Sequence, residues 1–207
     1  MRLFHFCPKE YAIKNIASSR LKIATIKQLN DPYEFIVNFY SGNTQVSDET
    51  VEKIKEDLNE KMGIVCFSKR SGDPVQWAHY AKNHTGICLE FNVEIKFLLK
   101  INYRKHPKAV NADADNWWEL FAEATKTKFQ HWKYEKEHRL IVNLESKNLI
   151  HENGLKFVPF SEGLKLAAIY LGCNCELYPQ EESIVYSNNI PVFNTKKSRN
   201  MFLIEKA

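Results

Sequence analysis

Glycine and proline are scarce, seven of each in 207 residues, which excludes a collagen-like, linker-dominated or low-complexity chain. Long hydrophobic runs are missing too. No apolar stretch approaches the roughly 18 residues that would span a bilayer, and the opening MRLFHFC reads as a strand without a secretory apolar region. Cysteine is present but unpatterned: Cys7, Cys66, Cys88, Cys173 and Cys175 are odd in number and irregular in spacing, which argues against a disulfide framework. Cys173-x-Cys175 lacks the second pair or nearby histidine that zinc ligation needs, so no metal is expected. These absences lead us to expect a soluble cytoplasmic protein with reduced thiols and no membrane partner. A strong charge imbalance is also lacking. The 29 Lys and Arg against 25 Asp and Glu leave a net charge of +4, too little to mark a nucleic-acid binder by itself.

What is there is a globular composition, 44% hydrophobic and 13% aromatic, on a chain of a length that suits one domain, 1–207, with a sizeable core. Local pattern predicts strands at Leu3–Cys7, Leu21–Ile26, Ile64–Ser68, Ile87–Phe91, Phe97–Tyr103 and Ala167–Gly172, with terminal strands at Pro191–Phe193 and Met201–Ile204. Arg139–Leu144 and Lys156–Phe160 read as a strand pair around an Asn153-Gly154 turn. Helices are predicted from Pro8 to Ser19, and from a Ser47 or Asp48 cap to Lys61 with Gly63 as the stop. Others run from an Asp73-Pro74 start to Asn83 and over Pro179–Tyr186. The clearest helical pattern is Asp113–Trp132, where Trp118, Phe121, Ala122, Thr125, Phe129 and Trp132 recur at helical spacing. Strands outnumber helices without alternating with them, the pattern of a single α+β domain with mixed or antiparallel sheets and flanking helices.

Four groups of residues could carry chemistry. His5 is a lone imidazole on an apolar strand, more often a satisfied core or edge residue than a functional one. Asn30-Asp31-Pro32-Tyr33-Glu34 places two carboxylates and a ring in one turn, although turn geometry alone explains Asn-Asp-Pro. Phe67-Ser68 is followed by Trp77, Tyr80, Ala81 and His84 on one helical face. Such a face is usually core, yet it would also make a stacking platform for a planar ring. Finally, Tyr134-Glu135-Lys136-Glu137-His138-Arg139 leads into an apolar strand. Two carboxylates two residues apart on a strand share one side of the sheet and raise each other's pKa unless a cation such as Lys133 or Arg139 intervenes. A surface charge ladder is the plainer reading of that run.

Taken together and in order, these motifs resemble a bacterial family catalogued as domain of unknown function 2971, from Leu3-Phe4-His5-Phe6 to about Leu171-Gly172. At a greater distance, the succession of His on a first strand, Ser on a second, Tyr on a helix and a carboxylate beside a later strand resembles the ADP-ribosyltransferase superfamily. That resemblance implies an ADP-ribosyltransferase-like fold and an enzyme that consumes NAD as its substrate. It implies that His5 bonds the adenine-side ribose and that Tyr80, with Trp77, stacks on nicotinamide. Glu137 would bond the nicotinamide-side ribose and stabilise its cation. Glu135 would position an acceptor, protein or nucleic acid. Ser68 would join the NAD-binding set, and Arg139, Lys69 and Arg70 are candidates for its phosphates. A role as a toxin or phage-defence effector inside the cell is implied by the family resemblance alone.

Two other functions remain open on the sequence. The stretch 97–112 holds Lys100, Arg104, Lys105 and Lys108 and no acid, with Tyr103 and Trp117 as stacking candidates, so it could meet nucleic-acid phosphates. Alternatively, the same fold could serve as a non-catalytic nucleotide- or protein-binding module.

Overall fold

Runs such as Ile87–Val93 and Leu164–Leu171 are apolar at nearly every position, as strands covered on both faces must be. In the computed structural model, which describes residues 1–35, 37–113, 117–187 and 189–207 and the backbone only of Trp117 and Trp118, these runs form one eight-stranded sheet. The strand order is Ile204–Lys206, Val192–Lys197, Leu164–Leu171, Ile87–Val93, Arg2–Cys7, Met62–Ser68, Glu137–Asn143 and Leu98–Lys100. Neighbours are antiparallel except Leu164–Leu171 with Val192–Lys197, which are parallel. Among the described residues three small sheets and five α-helices flank it, so the chain is a single α+β domain with one large mixed sheet.

The two halves of the sheet barely join. Arg2–Cys7 pairs with Ile87–Val93 along its whole length, from Arg2 opposite Asn92 to Cys7 opposite Ile87. Met62–Ser68 pairs just as fully with Glu137–Asn143. Between Arg2–Cys7 and Met62–Ser68, however, the only register pair is Phe4 opposite Ser68. A seam therefore runs through the middle of the sheet, and the cleft described below opens on it.

Alternation of side chains distributes the core between the two faces. On Arg2–Cys7, Leu3 and Cys7 join the core beneath helices α1 (Lys9–Ala17) and α5 (Pro179–Tyr186), while Phe4 and Phe6 pack with Trp77 of α3 (Pro74–Tyr80). A third cluster holds the other half, where Phe35, Phe39, Leu58, Ile64, Phe121 and Ile141 pack between the sheet, α2 (Asp48–Lys61) and α4 (Trp117–Thr125). Ser47 caps α2, accepting the Thr50 N–H, and Asp73 caps α3, accepting the Val75 N–H. Among the described residues no helix is long and apolar enough to cross a membrane.

Several local expectations need correction, among them the single strand over Phe97–Tyr103, which is split into Leu98–Lys100 and Asn102–Arg104 in different sheets, and the terminal strand over Met201–Ile204, which runs over Ile204–Lys206. The helix expected over Asp113–Trp132 is confined to Trp117–Thr125, with Ala114–Asn116 outside the described residues. Beyond it Thr127–Phe129 forms a strand parallel to Asn102–Arg104, and Gln130–Glu135 a 3-10 turn. The Thr125 hydroxyl folds back onto the Phe121 carbonyl, and the Thr125 carbonyl accepts from Arg139 Nη1, which ends the helix there. The Asn153-Gly154 turn joins Leu155–Pro159 to Ile150–Glu152, while Glu137–Asn143 pairs elsewhere. Both turn residues have positive φ, +50° and +74°, as a two-residue hairpin turn requires. Gly63 lies inside a strand and stops no helix. A Cβ there would sit 2.2 Å from Ile23 Cγ2, so glycine is needed for close packing. The segment expected as a strand over Leu21–Ile26 is shorter, Arg20–Lys22, followed by a 3-10 turn at Ile26–Gln28.

Candidate active site

A cleft of about 160 Å³ opens at the seam of the sheet. Phe4, Phe6 and Phe67 supply apolar walls, and His5, Ser68, Tyr80, Glu135 and Glu137 supply its polar groups. Five residues expected from separate motifs, more than 130 positions apart at the extremes, thus line one cavity.

Each comes from a local device. The Asn30–Glu34 segment turns on Asp31, whose carboxylate accepts the Tyr33 N–H at 2.9 Å and whose carbonyl accepts the Glu34 N–H at 2.9 Å. That turn sends Glu34 inward and leaves Asn30 beside Tyr80. Glu135 ends a 3-10 turn and Glu137 begins a strand. Lys136 between them adopts a left-handed conformation, φ +48°. The two glutamates therefore reach the same cleft through a backbone reversal, and not as alternate positions of one strand. Ser68 donates to the Glu135 carbonyl at 2.7 Å and accepts from Gln76 Nε2 and the Arg70 N–H. Its hydroxyl is spent on holding Glu135 in place.

Below the cleft lies a buried charge cluster. Lys128 Nζ is 2.7 Å from Glu135, 3.3 Å from Glu137 and 3.3 Å from Glu34. Arg139 is fully buried; its Nε donates to Glu137 at 2.8 Å and its Nη2 to Glu34 at 2.6 Å and to Glu137 at 3.1 Å. The Tyr80 hydroxyl donates to Glu135 and accepts from Asn30 Nδ2 at 3.0 Å. Three carboxylates face two cations, so the cluster carries one carboxylate in excess.

That excess sets the protonation of the pair. Burial works against ionisation of Glu137, but Arg139 and Lys128 outweigh it and hold the carboxyl at about 2. Burial raises Glu135, the nearby Glu137 charge adds to it, and Lys128 and the Tyr80 hydroxyl only partly offset the rise. Burial also keeps His5 neutral by lowering its pKa, against a smaller opposing effect of its bond to the Cys66 carbonyl. A carbonyl can only accept, so Nδ1 carries the hydrogen in that 2.9 Å bond and Nε2 remains an acceptor. The Tyr80 phenol is pushed up by burial and by the Glu135 charge and stays protonated.

Two of the expected ligand-binding residues lie elsewhere. Trp77 is fully buried, edge-on to Phe6 at 5.2 Å with Nε1 donating to the Ser71 carbonyl, so no ring of a ligand in the cleft can stack on it. Arg139 lies beneath the cleft, spent on Glu34, Glu137 and the end of α4, and cannot reach a phosphate. Helix α3 ends at Tyr80, which takes His84 off the expected face. Lys128, Glu34 and Gln76 complete the site; only Glu34 stood in a motif that drew attention. The signal for Lys128 was a single lysine between Thr127 and Phe129, concealed by the helical pattern around it. No group of three or more His, Cys, Asp and Glu among the described residues is arranged to hold a metal ion.

Comparison with protein-family models, curated proteins and solved structures finds no match.

Proposed function

We propose that this protein cleaves the bond between nicotinamide and ribose in NAD and transfers ADP-ribose to an acceptor. The observation that carries the reading is an aromatic-walled cleft with one carboxylate in excess over its cations. The nicotinamide ring of NAD is a planar cation, and both its charge and its shape suit such walls. A cavity of about 160 Å³ suits the nicotinamide–ribose end, with the rest of the dinucleotide lying across the rim. The order of His5, Ser68, Tyr80 and Glu137 along the chain, which resembles ADP-ribosyltransferases, supports the same reading.

In the proposed step the ribose C1′–nitrogen bond breaks and its electron pair goes to the ring nitrogen, which makes nicotinamide neutral. Positive charge moves onto the ribose. Glu137, ionised at any physiological pH, stabilises that charge more in the transition state than in the ground state. Glu135, whose pKa is raised, takes the proton from the acceptor as the new bond to C1′ forms. Two carboxylates driven apart in pKa by their surroundings are the usual mark of such divided roles. His5 Nε2 accepts from a ribose hydroxyl, and Tyr80 holds Glu135. Chromatographic detection of free nicotinamide after incubation with NAD tests this, with Glu135→Gln as the inactive control. Absence of both nicotinamide release and NAD binding would reduce the cleft to a binding module for some other ligand.

A further inference from the structure

A larger cleft, about 400 Å³, lies on the other side of Lys128, walled by Tyr33, Arg104, Lys105, His106, Thr127 and Phe129. The basic stretch that leads into it is not one patch. Lys108 is paired with Glu123, Lys100 lies on the edge strand opposite His138, and Tyr103 turns inward, its hydroxyl accepting the Glu137 N–H at 2.8 Å. Trp117's side chain is outside the described residues. What remains is Arg104 and Lys105, both exposed and without an ion-pair partner among the described residues.

Beside these two cations stand two accessible rings. Tyr33 is 64% exposed and Phe129 37%, the latter tilted against His131 with centroids 4.4 Å apart. Large rings left in water next to unpaired cations are the parts from which single-stranded nucleic-acid sites are built: bases stack on the rings and phosphates meet the charges. The Thr127 hydroxyl, buried in the same wall, has no hydrogen-bond partner among the described residues. A cleft of about 400 Å³ suits one unstacked base with its sugar. A phosphoserine or phosphothreonine peptide would use the cations but leave both rings without a role.

The two clefts share Lys128, whose Nζ contacts Glu135 and Glu137 on one side while its chain lines the second cleft on the other. We propose that the second cleft binds single-stranded nucleic acid, with an unstacked base on Phe129 and Tyr33 and a flanking phosphate on Arg104 and Lys105. This strand is the acceptor for ADP-ribose. The binding stands on the cleft itself; the acceptor role rests on the function proposed above. In that role a nucleophilic nitrogen or hydroxyl of the strand forms the bond to C1′ as nicotinamide leaves, and Glu135 receives its proton.

Fluorescence anisotropy with a labelled mixed-sequence 12-nucleotide strand, as DNA and as RNA, tests the site across a salt series. Single strands should bind more tightly than the same sequence as a duplex. The Arg104→Ala/Lys105→Ala double variant should lose roughly tenfold or more in affinity and flatten the log–log salt slope by about 0.7, the value for one phosphate no longer neutralised. Phe129→Ala should weaken binding with the slope unchanged. No binding of either strand, a double variant identical to wild type, or capture of a phosphopeptide in preference to the strand would overturn the proposal. Anisotropy needs no NAD, so the two readings fail separately. Strand binding without nicotinamide release keeps this site and removes the transfer; nicotinamide release without strand binding does the reverse.

Discussion

Lys136 separates two glutamates whose surroundings drive them in opposite directions. Glu137 is locked to Arg139, so replacing it leaves a buried guanidinium short of a partner. Glu137→Gln should destabilise the fold by about 3–5 kcal/mol in chemical denaturation, which makes it a poor test of chemistry. Glu135 is the odd carboxylate, and Glu135→Gln should leave stability within about 1 kcal/mol while lowering nicotinamide release by about 10²-fold or more. The signs of the pH effects also differ. Glu137, held at about 2 against an ordinary 4.5, favours folding above pH 4.5, and that contribution is lost as pH falls towards 2. Glu135, raised, does the opposite: its contribution is present at low pH and lost as pH rises through its folded value. Relative to wild type, Glu135→Gln should therefore gain stability as pH rises, which melting curves across pH 4–8 would reveal. Tyr80 donates to Glu135 and lowers its pKa, so Tyr80→Phe should move the acidic limb of the activity profile to higher pH.

At the scale of elements, the short and local ones could be read from the sequence because their causes are local. Ser47 and Asp73 each announce a helix start, and α5 begins and ends where Pro179 and the following pattern predict. Elements whose limits are set by distant partners could not be read. Phe121, Thr125, Phe129 and Trp132 keep helical spacing across a point where the chain leaves the helix. The reason is Arg139, which takes the last carbonyl of α4, and Asn102–Arg104, which offers Thr127–Phe129 a strand partner. Lys128 was hidden for the same reason, whereas His5, Ser68, Tyr80, Glu135 and Glu137 stood out only through the combination and order of their motifs, since each taken alone reads more plainly as core or surface charge. Trp77 shows the limit of that argument, since an aromatic helix face serves a core as readily as a ligand. Gly63 offers a test at this scale. Gly63→Ala drives a methyl into Ile23 and Leu144 and should cost about 1–3 kcal/mol by denaturant titration.

Across the whole molecule, the seam decides where a ligand can enter. Two well-paired half-sheets share a single ladder pair, Phe4 with Ser68, and the bond from His5 to the Cys66 carbonyl, and strands that diverge there leave their backbones and side chains lining a cleft in place of a continuous ladder. Which strands adjoin depends on pairings between residues 60 or more positions apart, so neither the seam nor the convergence it produces follows from any local pattern. A ligand held on both sides of the seam binds only the folded state. At a hundred times its dissociation constant it should add about 2.7 kcal/mol to stability, visible as a raised melting temperature. The most direct measurement is quantification of nicotinamide released from NAD by the wild-type protein and by Glu135→Gln, with melting curves of both. The account predicts release by the wild type, a loss of about 10²-fold or more in the variant, and near-equal stability of the two. Release by the folded variant at the wild-type rate, or none by a wild-type protein whose melting NAD does not shift, would contradict it.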